Sequence, residues 1–291
     1  MRAAALVVLA VAAGTANLAD ARSLGASYLF STDTDDNDIH RHTVNGWEPV
    51  SAHFDIGASA SRTTFVRHDR HAVRGGVQYD LRDGALASRG DIGVEHLAGR
   101  DYLTGDLVVE TYRGAWTLAA GLERTLVDSE RGIALGLAAT TAYVMADWSA
   151  DTHGAALVLA RTAYSDTNDR NRLRTRLWQS VCDCGVYVQV AGETYSNSQP
   201  YTGNYFSPER YTRALGGIGV RRRVAAGTFS ARAEYGVQRV DGEQHPSHTL
   251  TARFESARST EGWQWSAEFI HDRKQPGYNY SQAQAMLIKR F

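Results

Sequence analysis

Along residues 228–238 apolar and polar side chains alternate. Phe229, Ala231, Ala233, Tyr235 and Val237 are apolar, and Thr228, Ser230, Arg232, Glu234 and Gln238 are polar. Side chains two apart share a face of a strand, so this period predicts a strand with one apolar wall and one polar wall. The same reading gives strands on either side. Ala214, Gly216, Ile218 and Val220 oppose Leu215, Gly217, Gly219, Arg221 and Arg223. Leu250, Ala252 and Phe254 oppose Thr249, Thr251, Arg253 and Glu255. Trp263, Trp265, Ala267 and Phe269 oppose Gln264, Ser266 and Glu268. Upstream the pattern is less clean. Trp116, Leu118, Ala120 and Leu122 oppose Thr117, Gly121, Glu123 and Thr125. Leu107 and Val109 oppose Asp106 and Glu110, while Val186, Val188 and Val190 oppose Tyr187, Gln189, Glu193 and Tyr195. Leu173 and Leu177 oppose Arg172, Arg174 and Arg176.

Turn signals separate these segments at 82–84, 99–101, 113–114, 128–132, 166–171 and 241–242. Sixteen or seventeen strands fit along the chain. The even number favoured by single-chain bacterial barrels selects sixteen, with fourteen as the alternative. Pro49, Pro200, Pro208, Pro246 and Pro276 are all expected in loops, since proline is excluded from sheet interiors. No linker, low-complexity tract or helical repeat interrupts the pattern, which reads as one domain.

Alternation leaves one question open. In a soluble sandwich the apolar walls meet a second sheet; in a membrane barrel they meet lipid and the polar walls line the interior. The ends of the chain favour the barrel. Arg2, the apolar residues 3–13 and the small-x-small triplet Ala19-Asp20-Ala21 have the order of a secretory signal, with cleavage expected before Arg22. The apolar run is shorter than the roughly 20 residues that a spanning helix needs. The last strand finishes on Phe291, an aromatic terminus expected to engage the barrel-assembly machinery. Mean hydropathy is −0.36. That value is compatible with a barrel, whose strands average lipid-facing and lumen-facing residues together. Tyr (14) and Trp (6) suit the water boundaries of a membrane. The expectation is therefore an all-β chain: a signal peptide over 1–21, then a transmembrane antiparallel up-and-down β-barrel over 22–291. It is expected in the outer membrane of a Gram-negative envelope, monomeric, and in contact with outer-membrane lipids. A net charge of −1 argues against nucleic acid as a partner. Lys289 lies on the same face as Phe291, Leu287, Ala285 and Ala283, so it should sit near a membrane interface.

Residues 204–211 read Asn-Tyr-Phe-Ser-Pro-Glu-Arg-Tyr ahead of a predicted strand. Tyr235-Gly236-Val237-Gln238, Tyr278-Asn279-Tyr280 and Lys289-Arg290-Phe291 follow in order. This arrangement resembles the C-terminal barrel domain of the cellulose-synthase-operon outer-membrane protein and, more loosely, other exopolysaccharide-secretion barrels. The likeness covers roughly residues 200–291, and the Tyr-Phe-Ser-Pro-x-x-Tyr string is its specific part. Stand-alone barrels of the YaiO type are the closer match in architecture. The resemblance implies a sixteen-stranded conduit through which a growing polysaccharide leaves the cell. Larger members carry tetratricopeptide repeats ahead of the barrel; here the scaffold that would hand over the polymer is expected from another chain, as a periplasmic scaffold protein, or is absent.

Pro208 fixes its backbone φ, while Tyr205, Phe206 and Tyr211 offer large flat faces. They fit either an ordered loop that folds over the pore and stacks on sugar, or girdle residues at the membrane boundary. The predicted polar walls place Arg172, Arg174, Arg176, Arg221, Arg223, Arg232 and Arg253 in the lumen, with Glu95, Glu110, Glu123, Glu193, Glu234, Glu255 and Glu268. These charges either pair across strands to hold the wall or set the selectivity of a hydrated passage. Among them Arg221, Arg223, Arg232, Glu234, Arg253 and Glu255 join Tyr205, Phe206 and Tyr211 as candidate solute contacts.

Cys182 and Cys184 fit a small disulfide or a free pair, and supply at most two ligands, too few to indicate a metal site. His40, His42, His53, His68 and His71, with His245 and His248 in a late loop, form no nucleophile motif. Neither catalysis nor a cofactor is expected. A passive conduit for exopolysaccharide is the leading expectation, ahead of a small general porin or a structural envelope barrel, with a lipid hydrolase last.

Overall fold

The computed structural model describes residues 23–34, 37–257, 261–275 and 278–291. The predicted leader, its cleavage point and Pro276 lie outside the described residues. Sixteen strands follow one another: β1 (Ser23–Asp33), β2 (Ile39–Ser51), β3 (Phe54–Phe65), β4 (Arg70–Asp83), β5 (Leu86–Leu97), β6 (Arg100–Arg113), β7 (Trp116–Leu126), β8 (Ala138–Ser149), β9 (His153–Tyr164), β10 (Asp169–Ser180), β11 (Val186–Asn197), β12 (Arg210–Val224), β13 (Gly227–Val240), β14 (Glu243–Ser256), β15 (Gly262–Gln275) and β16 (Tyr278–Arg290). One short helix, α1 (Glu130–Leu135), lies between β7 and β8. Each strand pairs with its neighbours in sequence, and β1 closes on β16 to make one barrel. Closure is antiparallel, from Ser23 opposite Arg290 to Asp33 opposite Tyr280. Beyond the last pair the Tyr278 hydroxyl donates to Asp33 at 2.9 Å, and the Thr34 amide donates to the Asn279 carbonyl at 3.1 Å. Antiparallel neighbours need only short turns, which is why local alternation and turn chemistry suffice to build this topology.

The two walls divide as the period requires. On β13, Tyr235 points outward and is 68% exposed, while Glu234 and Gln238 point inward and are 7% and 0% exposed. Leu177, Val190 and Ile218 stand on the same outer surface. An outer surface this apolar is insoluble as a monomer in water and suited to lipid.

Glycine serves the inner wall in a particular way. A Cβ at Gly121 would lie 2.4 Å from the ring of Tyr143, its direct cross-strand partner. The same holds for Gly219 beneath Tyr187 and Gly154 beneath Trp178. These rings occupy the space that a neighbouring side chain would take, so each lies against the wall.

Several sequence expectations require correction. Pro49 and Pro246 are not in loops but in β2 and β14. Pro49 lies beside a register shift in the pairing of β2 with β3, and Pro246 lies where β14 outruns β15, whose pairing with it begins at His248. A missing N–H costs little at such an irregularity or local edge. His245 and His248 likewise belong to β14 rather than to a loop. The turn signals at 99–101 and 166–171 overrun their turns, because β6 begins at Arg100 and β10 at Asp169. Cys182 and Cys184 form a disulfide within the turn between β10 and β11. Lys289 points outward at the rim carrying the chain ends, its ammonium 5.6 Å from the Trp263 ring centre.

An Ile218→Arg substitution places a guanidinium on the outer surface near mid-strand. It should destabilise the barrel by about 2–4 kcal/mol. Urea unfolding in lipid vesicles measures this, and an unchanged midpoint would contradict the assignment of faces.

Candidate functional site

The two longest connections among the described residues, 127–137 and 198–209, both leave the rim opposite the chain ends. In an outer-membrane barrel the longer loops mark the outward rim. Both loops turn inward.

In the first loop α1 is short but well terminated. Ser129 caps it by accepting the Gly132 amide at 3.1 Å, and Gly136 ends it in the left-handed conformation at φ 68°. The helix presents Ile133 to an apolar patch on the inner wall formed by Ile39, Phe65, Ala72 and Leu97, flanked by Tyr102 and Leu126. Inward-facing apolar side chains there have a reason: they receive a loop rather than water.

The second loop is held to the opposite wall by polar contacts. Tyr205 stacks on Tyr164 with ring centres 4.2 Å apart. Its hydroxyl donates to Asp166 at 3.0 Å and accepts from the Asn168 amide at 3.0 Å. The Asn204 side chain donates to the other Asp166 oxygen at 3.1 Å. Buried Asn168 accepts the amides of Ser198 and Gln199 at 3.1 and 3.2 Å. The Arg170 guanidinium donates to the Phe206 carbonyl and to Asn197, and lies over the Tyr195 ring at 4.6 Å. Burial pushes the Tyr205 phenol above its ordinary pKa; the Asn168 hydrogen bond opposes this and the Asp166 contact adds to it.

The loops meet across the mouth. The Ser129 hydroxyl donates to the Asn204 carbonyl, and Arg131 donates to the Thr202 carbonyl at 3.1 Å. Beneath them lies a chamber of about 1140 Å³. Its wall includes Tyr201, Tyr205, Phe206, Tyr278 and Tyr280, with Arg170, Arg172 and Arg174 at alternate positions on β10. Glu193 lies 3.4 Å from Arg172 and 3.0 Å from Arg174. Below the chamber, Arg176 approaches Asp147 at 3.6 Å. Across the lumen, β4–β7 turn Asp80, Asp91, Glu95, Asp106, Glu110 and Glu123 inward. Arg74 and Arg89 stand among these carboxylates, Arg74 paired with Asp91 and Arg89 3.7 Å from Glu110, so β4–β7 keep an acidic excess while β10 is basic. Such a separation of charge produces a transverse field in the bore.

The sequence-predicted residues fall into two groups. Tyr205, Phe206 and Tyr211 come together at the chamber, though not in one role. Tyr211 is 1% exposed, stacked on Tyr195 at 4.5 Å and edge-on to Phe206 at 6.2 Å, so it supports the loop from beneath. Arg232–Glu234 (3.1 Å) and Arg253–Glu255 pair within their own strands, nearer the other rim. Arg221 and Arg223 lie close to the turn between β12 and β13. None of these six lines the chamber. Arg170 was missed although it shares the parity of Arg172; Ser129 and Arg131 carried only a turn signal, and Ile133 none.

No protein-family model matches the chain. No curated protein matches it either. Solved structures do. One described as a bacterial polysaccharide outer membrane secretin shares 12% identity over 92% of this chain and 98% of its own, with a TM-score of 0.74. CdiB from Acinetobacter baumannii shares 9% identity over 91% of this chain, with a TM-score of 0.53, and the chain spans 60% of that structure. At these identities the likeness concerns the fold, which is that of an outer-membrane β-barrel.

Ile133→Asp would bury an unpaired carboxylate in the apolar patch, at a cost on the order of 3 kcal/mol or more. The helix is expected to lift away, and trypsin should then cleave after Arg131 faster than in the wild-type barrel. Equal cleavage rates would show that Ile133 does not anchor the loop.

Proposed function

We propose that this barrel is a passive, non-catalytic conduit through which a polysaccharide chain leaves the cell. The observation that carries the reading is the lidded chamber. It combines aromatic side chains that can lie against the C–H faces of sugar rings with hydroxyl and guanidinium donors for sugar oxygens. The shared fold with a structure described as a polysaccharide outer membrane secretin supports it. So does the Tyr-Phe-Ser-Pro-x-x-Tyr string at 205–211, whose Tyr205 and Phe206 line the chamber. In this reading Tyr201, Tyr205 and Phe206 meet the glycan, and Tyr211 and Arg170 hold the loop that presents them. A periplasmic scaffold protein that delivers the polymer is the partner this reading expects. Arg221, Arg223 and the pairs Arg232–Glu234 and Arg253–Glu255 line the hydrated path below.

A second reading has one specific observation behind it. The bonds between the two loops and the paired charges of the wall suit a barrel that stays shut until a partner opens it.

Single-channel recording of the refolded barrel in a planar bilayer separates the two. A conduit should show steady conductance that soluble oligosaccharides block. Tyr205→Ala should weaken that block roughly two- to tenfold, the worth of one aromatic contact of about 0.5–1.5 kcal/mol. Silence from a demonstrably folded barrel would instead favour the closed one.

A further inference from the structure

The outer wall over β8–β12 holds a second cavity, of about 640 Å³, and its side chains are largely those of the lipid-facing surface. Val144, Leu159 and Leu173 are consecutive cross-strand neighbours that form an apolar floor. One row nearer the loop rim the chemistry changes. Arg161 stands opposite Asn171, Asn171 opposite Ser196, and Ser196 opposite Arg210, giving an unbroken polar row across four strands. Arg161 donates to Asp169 at 3.0 Å, yet its side chain remains 68% exposed. The Arg210 guanidinium makes no ion pair among the described residues, and the neighbouring Glu209 is exposed. Arg239 flanks the cavity beside Thr212, its guanidinium 3.4 Å from Gln244.

We propose that this groove binds a phosphate-bearing membrane lipid, with an acyl chain on the apolar floor and the headgroup phosphate between Arg161 and Arg210. Three observations converge on that occupant. An outward-facing arginine on a barrel belongs at the headgroup level, where its charge reaches polar groups. Guanidinium forks match phosphate oxygens in charge and geometry, and two of them outweigh the single paired carboxylate of Asp169. Asn171 and Ser196 add hydrogen-bond donors between the two arginines, and the depression directly below is apolar. The site requires only that the barrel lie in a membrane, and is independent of what passes through the lumen.

Native mass spectrometry of the full barrel in micelles tests the proposal. The probes are diphosphorylated lipid A and the same lipid stripped of its phosphates. The phosphorylated lipid should be retained selectively. The double variant R161Q/R210Q should lose retention on the order of tenfold, in line with the loss of charge-assisted hydrogen bonds. Arg222→Gln, on the outer surface near the opposite rim, should bind as the wild type does. Should the double variant fail to fold, Arg210→Gln alone is read in the same way. Equal retention of the two lipids would overturn the proposal, as would undiminished binding by the variants. Displacement of the lipid by millimolar inorganic phosphate would also overturn it, since the row would then take a free anion.

Discussion

Everything in this molecule depends on the pairing of β1 with β16. A sheet in lipid has no water to satisfy an edge, and each unpaired backbone group there costs several kcal/mol. The register from Ser23–Arg290 to Asp33–Tyr280 removes both edges at once. The ties at Asp33, Thr34, Tyr278 and Asn279 continue it past the last strand pair. With closure imposed, alternation becomes compulsory, because each strand must offer one face to lipid and one to the bore. Charged residues can then be numerous without harming insertion, provided that they keep to one parity or stay near a rim.

The strand architecture was therefore legible in the sequence. Arg232 and Glu234 could be placed inward and Tyr235 outward from period two alone, and the register agrees. Where reading failed, the reason was local. Pro49 and Pro246 look like loop residues until it is known that the pairing of β2 shifts register beside Pro49 and that β14 overhangs β15. The site was only half legible. Tyr205 and Phe206 stood out as aromatics in a proline-bearing loop. The residues that hold them, Asp166 and Asn168, looked like ordinary turn formers, because a hydrogen bond between loops leaves no periodic trace. Ile133 was hidden for the same reason: a single apolar residue in a loop gains meaning only from the wall patch that receives it.

The inner wall divides its charges by height as well as by side. Toward the chain-end rim Arg253 pairs with Glu255 along β14, while at mid-height Glu234 takes both Arg232 of its own strand and Gln189 of β11. Higher up, buried Arg213 spans from β12 to Asp272 on β15 and gathers Ser247 and Thr249 on the way. A fully partnered buried network of this kind fixes several strands in one arrangement. It stiffens the barrel directly beside the segment that carries Tyr211, and so gives the chamber a firm base.

The two loops over the mouth differ in how they are held. The helix of 127–137 rests on its wall through apolar packing, whereas loop 198–209 is fastened to its own through aromatic stacking and hydrogen bonds. Between them the ties are slight, chiefly Ser129 to Asn204 and Arg131 to Thr202. The cover is thus two half-doors with a seam, each hinged to a different side of the cylinder. Such a closure can part along the seam and widen the opening while both hinges, and the sixteen-stranded frame that bears them, stay as they are.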